Sequence, residues 1–242
     1  MKKDNKIIIS LFFIILVIIS IGIIFQGEPE QYTSERNFIT EKAKDNNSIW
    51  ITGYGGSNQK QEVVIPSHIN KLPVTYIKNS AFRNKKLTSV VIPDSVIEIG
   101  MHAFSDNKIK NAGISMNATL IDSFAFNNNE LVNIVIPDSV THIREEAFRN
   151  NLLESITIGS NVVNIGEKAF RNNLLTSVTI PDSVAVIGIY AFADNQLTSI
   201  KIGENVQMEI GAFGDNNFVQ FYQSQGKMAG LYVYKDGSWE IR

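Results

Sequence analysis

The dipeptide Ala-Phe recurs along this chain at a fixed spacing, and this constrains the fold more than any other feature. It begins at residues 81, 103, 125, 147, 169 and 191, always 22 residues apart, and again at 212 after 21 residues. A fixed period of about 20 to 50 residues is typical of proteins built from stacked repeats. Aligned on the dipeptide, the full units begin at Leu87, Ile109, Leu131, Leu153, Leu175 and Leu197.

Each unit combines a strand, a turn and a return to the core. In LTSVVIPDSVIEIGMHAFSDNK, the apolar residues Leu87, Val90 and Ile92 predict a short strand that ends at Pro93. Pro-Asp-Ser predicts a turn, Gly100 an unusual backbone turn, and Ala-Phe a short helical turn carrying a small and a large core residue. One coil cannot bury its apolar side, but stacked coils can. We therefore predict a β-rich solenoid, a parallel stack of about seven 22-residue coils, over residues 63–217.

Asparagine is unusually frequent, at 25 residues, and part of this excess falls in one column of the repeat. The column lies four residues after each Ala of the dipeptide and comprises Asn107, Asn129, Asn151, Asn173, Asn195 and Asn216. Such a column could form a polar track for a ligand. Buried amides need hydrogen-bond partners, however, so we favour a structural ladder in which each side chain satisfies backbone groups at a tight corner and bonds its neighbours.

The N-terminus carries an unbroken run of 19 uncharged, mostly apolar residues, 7–25. A helix of that length spans about 28 Å, close to the thickness of the hydrocarbon core. Lys2, Lys3 and Lys6 precede the run, so residues 1–6 are predicted to be cytoplasmic and the rest of the chain extracellular. We predict a single-pass transmembrane signal anchor in the cell membrane. The alternative is a cleaved signal peptide and a secreted protein.

Composition excludes several function classes. The chain of 242 residues has no cysteine, three histidines and a formal charge of −2. Residues 1–25 contribute three lysines and one aspartate, a net charge of +2, so the rest of the chain has a net charge of −4. A negative net charge does not favour binding to nucleic acid. The histidines fall at unrelated repeat positions, and no HExxH, GxSxG or phosphate-cradling loop occurs. We expect no catalytic site, metal or cofactor.

The apolar ends of a solenoid need caps. Residues 26–36 are predicted as a linker and 37–62 as an N-terminal cap hairpin, because two apolar segments flank Asp45-Asn46-Asn47. Residues 218–242 are predicted as a C-terminal cap hairpin. Its turn at Asp236-Gly237 would pair Tyr234 with Trp239 and Tyr232 with Ile241. This aromatic face could hold a sugar, but covering the last coil is the commoner role.

The repeated pattern LxxVxIPxSVxxIGxxAFxxN resembles the BspA-like leucine-rich repeats of bacterial surface proteins. The resemblance implies a right-handed, non-enzymatic solenoid exposed at the cell surface, with members acting in adhesion. That family commonly carries Cys where this chain has the Asn column. By analogy with leucine-rich repeats, the candidate concave binding face comprises Ser89, Val91, Asn111, Asn133, Val135, Ser155, Thr157, Ser177, Thr179, Ser199 and Lys201.

These small, mostly uncharged residues suit contact with a macromolecule better than catalysis. Our first hypothesis is therefore a membrane-anchored or secreted recognition protein that binds a protein or glycan outside the cell. The alternative is a structural component of the cell envelope that organises its neighbours without a dedicated ligand.

Overall fold

The fold was determined from a computed structural model that describes residues 33–56, 61–214 and 217–242. Residues 33–242 form one compact unit. Helix in the described residues is limited to a short 3-10 helix, Glu35–Asn37, and to α1, Phe218–Ser224. The strands are β1 Phe38–Lys42, β2 Ile49–Tyr54, β3 Glu62–Val64, β4 His68–Ile69, β5 Leu72–Ile77, β6 Ser89–Val91, β7 Glu98–Ile99, β8 Asn111–Gly113, β9 Leu120–Ile121, β10 Asn133–Val135, β11 His142–Ile143, β12 Ser155–Thr157, β13 Asn164–Ile165, β14 Ser177–Thr179, β15 Val186–Ile187, β16 Ser199–Ile202, β17 Gln207–Met208, β18 Gly230–Lys235 and β19 Ser238–Ile241.

Each regular coil contributes two short strands, and equivalent strands of successive coils pair in parallel. The second strands form a continuous sheet in the order β1-β2-β5-β7-β9-β11-β13-β15-β17. The first strands form three shorter groups, β3-β6-β8, β10-β12 and β14-β16-β18-β19. The predicted β-solenoid of about seven coils is therefore confirmed.

The core of the solenoid is a row of phenylalanines, one from each Ala-Phe pair. Ring centroids of successive coils lie 5.0–5.5 Å apart and the rings are nearly parallel, with interplanar angles of 3–13°. The row runs from Phe82 to Phe213 and is almost completely shielded from solvent. A ring packs edge-on at each end, Phe38 against Phe82 and Phe218 against Phe213. The repeat spacing therefore produces one continuous apolar column with an aromatic cap at either end.

The predicted short helical turns at Ala-Phe are wrong. The residue before each of these alanines has a positive φ between 52° and 60° in the five coils from His102 to Tyr190, and a left-handed residue cannot continue a helix. The segment instead forms successive hydrogen-bonded turns, such as Ala103 N to Gly100 O and Ser105 N to His102 O, both 3.1 Å. The residue with the unusual backbone conformation is therefore His102, two residues after Gly100, where we had predicted it.

Gly100 permits close stacking rather than a positive φ. A Cβ at this position would lie 2.6 Å from Asn79 Oδ1 and 2.9 Å from Ile77 O, and both atoms belong to the preceding coil. Asp122 and Arg144 occupy the same repeat position, so the glycine is a local feature of some coils and not a requirement of the repeat.

The N-terminal end forms the predicted hairpin. β1 and β2 pair antiparallel, and β2 continues in parallel pairing with β5 of the first coil. Thr33 lies within the predicted linker, yet it is buried, and its backbone N and side-chain Oγ1 bond Val64 at 3.1 and 3.0 Å. The linker prediction is therefore wrong at its C-terminal end. The stretch from Pro66 to Ala81 is five residues longer than its equivalent from Pro93 to Ala103, and it contains a second hairpin, β4–β5, whose turn residues Asn70 and Lys71 both have positive φ.

The C-terminal end has more structure than the predicted hairpin. β18 and β19 pair in the predicted register, Tyr232 with Ile241 and Tyr234 with Trp239, and β18 also pairs antiparallel with β16. Helix α1 precedes the hairpin and was not predicted. Its buried residues, Phe218 and Tyr222, cover the end of the core. The last coil is thus closed by a hairpin along its strand and by a helix over its interior.

In the described part of the chain, no helix is both long enough and apolar enough to cross a membrane. The predicted anchor, residues 7–25, lies outside the described residues.

Candidate functional site

The candidate binding face lies on the first strands of the coils. Its eleven residues belong to β6, β8, β10, β12, β14 and β16, and we call the outward side of these six strands the strand face. Residues alternate along each strand, so in β10 Ile134 is buried whereas Val135 is 58% exposed. Thr157, Thr179 and Lys201 are exposed at the position equivalent to Val135. The structure therefore brings the predicted residues together on one surface, and their role in binding stays a prediction.

The strand face is divided into three segments because two pairs of neighbouring strands are not joined by backbone hydrogen bonds. β8 does not pair with β10, nor β12 with β14, among the described residues. The turns that follow the strands alternate in the same way, with proline at residues 93, 137 and 181 and a different residue in the coils between. Asp94 Oδ1 accepts a hydrogen bond from Met116 N at 2.8 Å, and Asn117 Nδ2 donates to Asp94 O at 2.8 Å. Each aspartate of these turns therefore bonds the following coil, while the serine of the next Pro-Asp-Ser turn bonds the coil before it, as Ser139 Oγ does to Ala118 O at 2.7 Å.

These contacts between turns were not recognised from the sequence. Asp138 forms the same two contacts with the next coil, with Ser160 N at 2.6 Å and Asn161 Nδ2 at 2.9 Å. The signal was present as a 44-residue period, in which Pro-Asp in one unit is followed by Asn one unit later.

The asparagine column lies inside the corner between coils. Asn151 Nδ2 donates to the carbonyls of Phe126, Phe148 and Arg149 at 3.0, 3.1 and 3.3 Å, and its Oδ1 accepts from Leu131 N at 3.0 Å. Asn107, Asn129 and Asn173 make the same kinds of contact and, like Asn151, are only 4–9% exposed.

The amides of this column bond backbone groups of their own and the preceding coil, and they do not bond one another. The neighbour-to-neighbour bonds expected within the column are therefore not present among its described members. Asn195 makes the same contacts but is half-exposed, and Asn216 lies outside the described residues. In each described member the amide nitrogen and the carbonyl oxygen both bond backbone groups, as a structural ladder requires.

Charged residues form small groups beside the Ala-Phe turns. The buried carboxylate of Glu146 lies 2.9 Å from Arg149 Nη1 and 3.8 Å from Lys168 Nζ. At equivalent positions of other coils, Arg83 Nε lies 2.8 Å from Asp106 Oδ2 and Arg171 Nε lies 2.6 Å from Asp194 Oδ2. The three arginines occupy equivalent positions of their coils and their side chains are partly exposed, so these are ion pairs of the surface.

Two titratable groups near the N-terminal end have shifted pKa values. A hydrogen bond from the Asn128 amide lowers the pKa of Asp106, and Arg83 lowers it further, although burial opposes both. Burial lowers the pKa of His102, as does the positive charge of Arg83. The His102 ring also stacks on Phe124, with centroids 4.6 Å apart. Both shifts follow from packing between adjacent coils.

No group of three histidine, aspartate or glutamate side chains that could hold a metal ion occurs among the described residues. The chemistry available on the strand face is that of apolar contact and of hydrogen bonding by hydroxyl and amide groups, which suits reversible binding.

Each coil contributes two short strands, and each strand pairs in parallel with its equivalent in a neighbouring coil. About seven such coils define a β-solenoid of leucine-rich-repeat type. The model of the BspA type leucine rich repeat region matches residues 54–174 and 119–228, with six copies. The chain belongs to this family, whose repeats generally serve as non-enzymatic binding scaffolds.

Solved structures of similar fold come from several bacteria. A leucine rich repeat protein of T. pallidum is 26% identical, with a TM-score of 0.70 over 81% of this chain and 96% of that protein. A leucine rich cell surface protein of Faecalibacterium prausnitzii A2-165 is 26% identical, with a TM-score of 0.53 over 90% of this chain and 62% of that protein. The pneumococcal vaccine antigen PcpA, at 19% identity and a TM-score of 0.59, shares the fold over 89% of this chain and 55% of its own length. No curated protein matches the chain.

Proposed function

We propose that this protein is a surface-exposed recognition protein that binds a protein ligand through the strand face. The observation that carries the proposal is the row of exposed, small and mostly uncharged residues along β6 to β16, with Val135 at its centre. Val135 lies beside Thr157 of β12, and Thr179 occupies the same position of β14, so the exposed apolar residue has hydroxyl groups along one side of it. Leucine-rich-repeat proteins commonly bind protein partners, which supports the choice of ligand class.

The proposed location is the outside of the cell, with residues 7–25 as a single-pass anchor, or secretion if that segment is cleaved. The support is the apolar run preceded by three lysines, together with the F. prausnitzii relative described as a cell surface protein. Protease treatment of intact cells tests the location, because an exposed solenoid is digested without lysis. N-terminal sequencing of the cell-bound protein then distinguishes an intact anchor from a cleaved signal peptide. Protection of the solenoid until the cells are lysed would contradict the proposal.

Binding can be tested with the full-length chain against immobilised matrix proteins, host cells and cell-wall glycans. We expect binding to a protein probe, and a loss of about tenfold or more for Val135→Glu, because a carboxylate would be buried at the contact without a partner. The matched control is Val163→Glu, which introduces the same charge beside β13 of the other sheet, where Val163 is 42% exposed.

If Val135→Glu and Val163→Glu weakened binding equally, the strand face would not be the binding surface. Binding to glycans alone would replace the ligand class. Binding to no probe, with crosslinks on cells only to itself or to envelope proteins, would favour the structural role.

A further inference from the structure

A cleft of about 730 Å³ lies at the C-terminal end of the solenoid, away from the middle of the strand face. Three successive coils and the terminal hairpin contribute to its walls. Among the residues that line it are Arg171, Tyr190, Asp194, Gln196, Thr198 and Tyr234.

The cleft exists because the chain leaves the repeat at this point. Within the stack, each corner is covered by the next coil, and the ladder asparagines up to Asn173 are buried. After Gly214 the chain proceeds to α1, which covers the core, while β18 extends along β16. The hairpin is attached beside the corner by a hydrogen bond from Tyr234 N to Thr198 O, 2.8 Å. The corner at Asn195 consequently remains half-exposed between the coil and the hairpin.

The polar floor of the cleft is the ion pair of Arg171 and Asp194, whose Nε and Oδ2 are 2.6 Å apart. The Arg171 guanidinium also lies over the ring of Tyr190, 5.4 Å from its centroid. Gly211 is in contact with the same ring, since a Cβ on this glycine would lie 2.4 Å from Tyr190 Cε1. Tyr190 is therefore fixed between two coils, and its hydroxyl is the part that can serve a ligand.

The same ion pair occurs elsewhere without a cleft. Arg83 and Asp106 occupy the equivalent positions near the N-terminal end. There, however, Asp106 Oδ1 accepts a hydrogen bond from Asn128 Nδ2 at 2.9 Å. No described residue donates to Asp194 Oδ1, so this oxygen can accept a hydrogen bond from a ligand. The repeat supplies the pair in both coils, but the position equivalent to Asn128 in the last coil is Asp215, which has no side-chain amide to donate.

We propose that this cleft is a binding site for a saccharide. A pyranose ring presents a face of C–H groups and a rim of hydroxyls. The Tyr234 side chain, 37% exposed, offers an aromatic surface for the C–H face. Asp194 accepts from one hydroxyl and Arg171 donates to its neighbour, with the Gln196 amide and the Tyr190 hydroxyl at the rim. The balanced pair of opposite charges favours a neutral sugar over a strongly charged ligand.

The test uses the full-length chain and saturation-transfer NMR with neutral sugars, namely glucose, galactose, mannose and N-acetylglucosamine oligosaccharides, beside glucuronic acid and a peptide library. We expect transfer to at least one neutral saccharide. Asp194→Asn removes an ionised acceptor and should weaken binding about tenfold or more, and Tyr234→Ala should do the same by removing the stacking surface. Asp106→Asn is the matched control, since it breaks the equivalent pair outside the cleft and should leave binding unchanged.

Thermal melts of all variants separate loss of binding from loss of folding. Three results would overturn the proposal: transfer to none of the saccharides, signals from peptides alone, or equal losses in Asp194→Asn and Asp106→Asn. The site is independent of the strand face, so Val135→Glu should retain saccharide binding even where it abolishes protein binding.

Discussion

The middle of the solenoid and its C-terminal end use the same repeat residues in different surroundings. Phe148 has a parallel ring on each side, at 5.5 and 5.4 Å, whereas Phe213 has one parallel ring and then the edge-on ring of Phe218. Asn151 and Asn195 make the same set of backbone hydrogen bonds, but Asn151 is 6% exposed and Asn195 is half-exposed. The hydrogen bonds of the column thus continue as far as Asn195, whereas the burial of its side chains does not.

We infer from this difference that the buried side chains of the middle coils mainly stabilise the stack, whereas the C-terminal end leaves polar and aromatic groups available for binding. In the middle, the side chains that point inward are fully engaged with neighbouring coils and leave only the outer strand positions for a partner. At the end, interruption of the stack leaves a carboxylate oxygen and an aromatic surface accessible beside a rigid ion pair. Terminal repeats in solenoids are atypical because they act as caps, and here the terminal hairpin also forms part of the wall of the cleft.

The largest expected effect is in the middle of the phenylalanine row. Phe148→Ala should lower the free energy of unfolding by about 3–5 kcal/mol, because it leaves a cavity between two stacked rings that cannot close. Equilibrium unfolding in urea measures the change. Val135→Ala, at an exposed position of the same coil, should change it by less than about 0.5 kcal/mol. Similar values for the two variants would show that the row does not carry the stability of the stack.

The asparagine column gives an intermediate effect and compares the two regions directly. Asn151→Ala leaves the buried Leu131 amide without its acceptor and removes one of the two amide donors to the Phe126 carbonyl, which should cost about 2 kcal/mol. Asn195→Ala removes equivalent bonds where water can replace them, so about 1 kcal/mol is expected. Urea unfolding of both variants tests the difference. If the two costs were equal, burial would not distinguish the middle from the end.

The solenoid could be predicted from the sequence because its determinants recur. Ala147 and Phe148 have equivalents in six other units, and each pair must stack on the next, so one period establishes the inside of the whole structure. The register of the terminal hairpin was also predictable. Asp236-Gly237 favours a two-residue turn in which both residues have positive φ, and they have φ values of 50° and 86°.

Features that occur once were less accessible to prediction. Helix α1 has only seven residues and no side-chain cap, so no local signal announced it before the hairpin. The cleft combines Arg171, Asp194 and Tyr234, and the last of these is brought to the corner only by the pairing of β18 with β16. The sequence placed Tyr234 on an aromatic face but could not show which coil would lie beside it.

The smallest expected effect concerns His102, which occupies the same repeat position as Tyr190 but lies near the N-terminal end. Its pKa is lowered by burial and by Arg83, so the unfolded chain binds a proton more readily than the folded one. This contribution to stability is complete above the ordinary histidine pKa of about 6.5 and is lost as the pH falls through the lowered folded value. The melting temperature should therefore fall between pH 7 and pH 5, and it should fall less in His102→Asn, since asparagine tolerates the positive φ of 56° at this position. His142→Asn, at an exposed position, is the control, and its melting temperature should fall with pH as in the wild type. If both variants reduced this fall equally, stacking between coils would not be what perturbs His102.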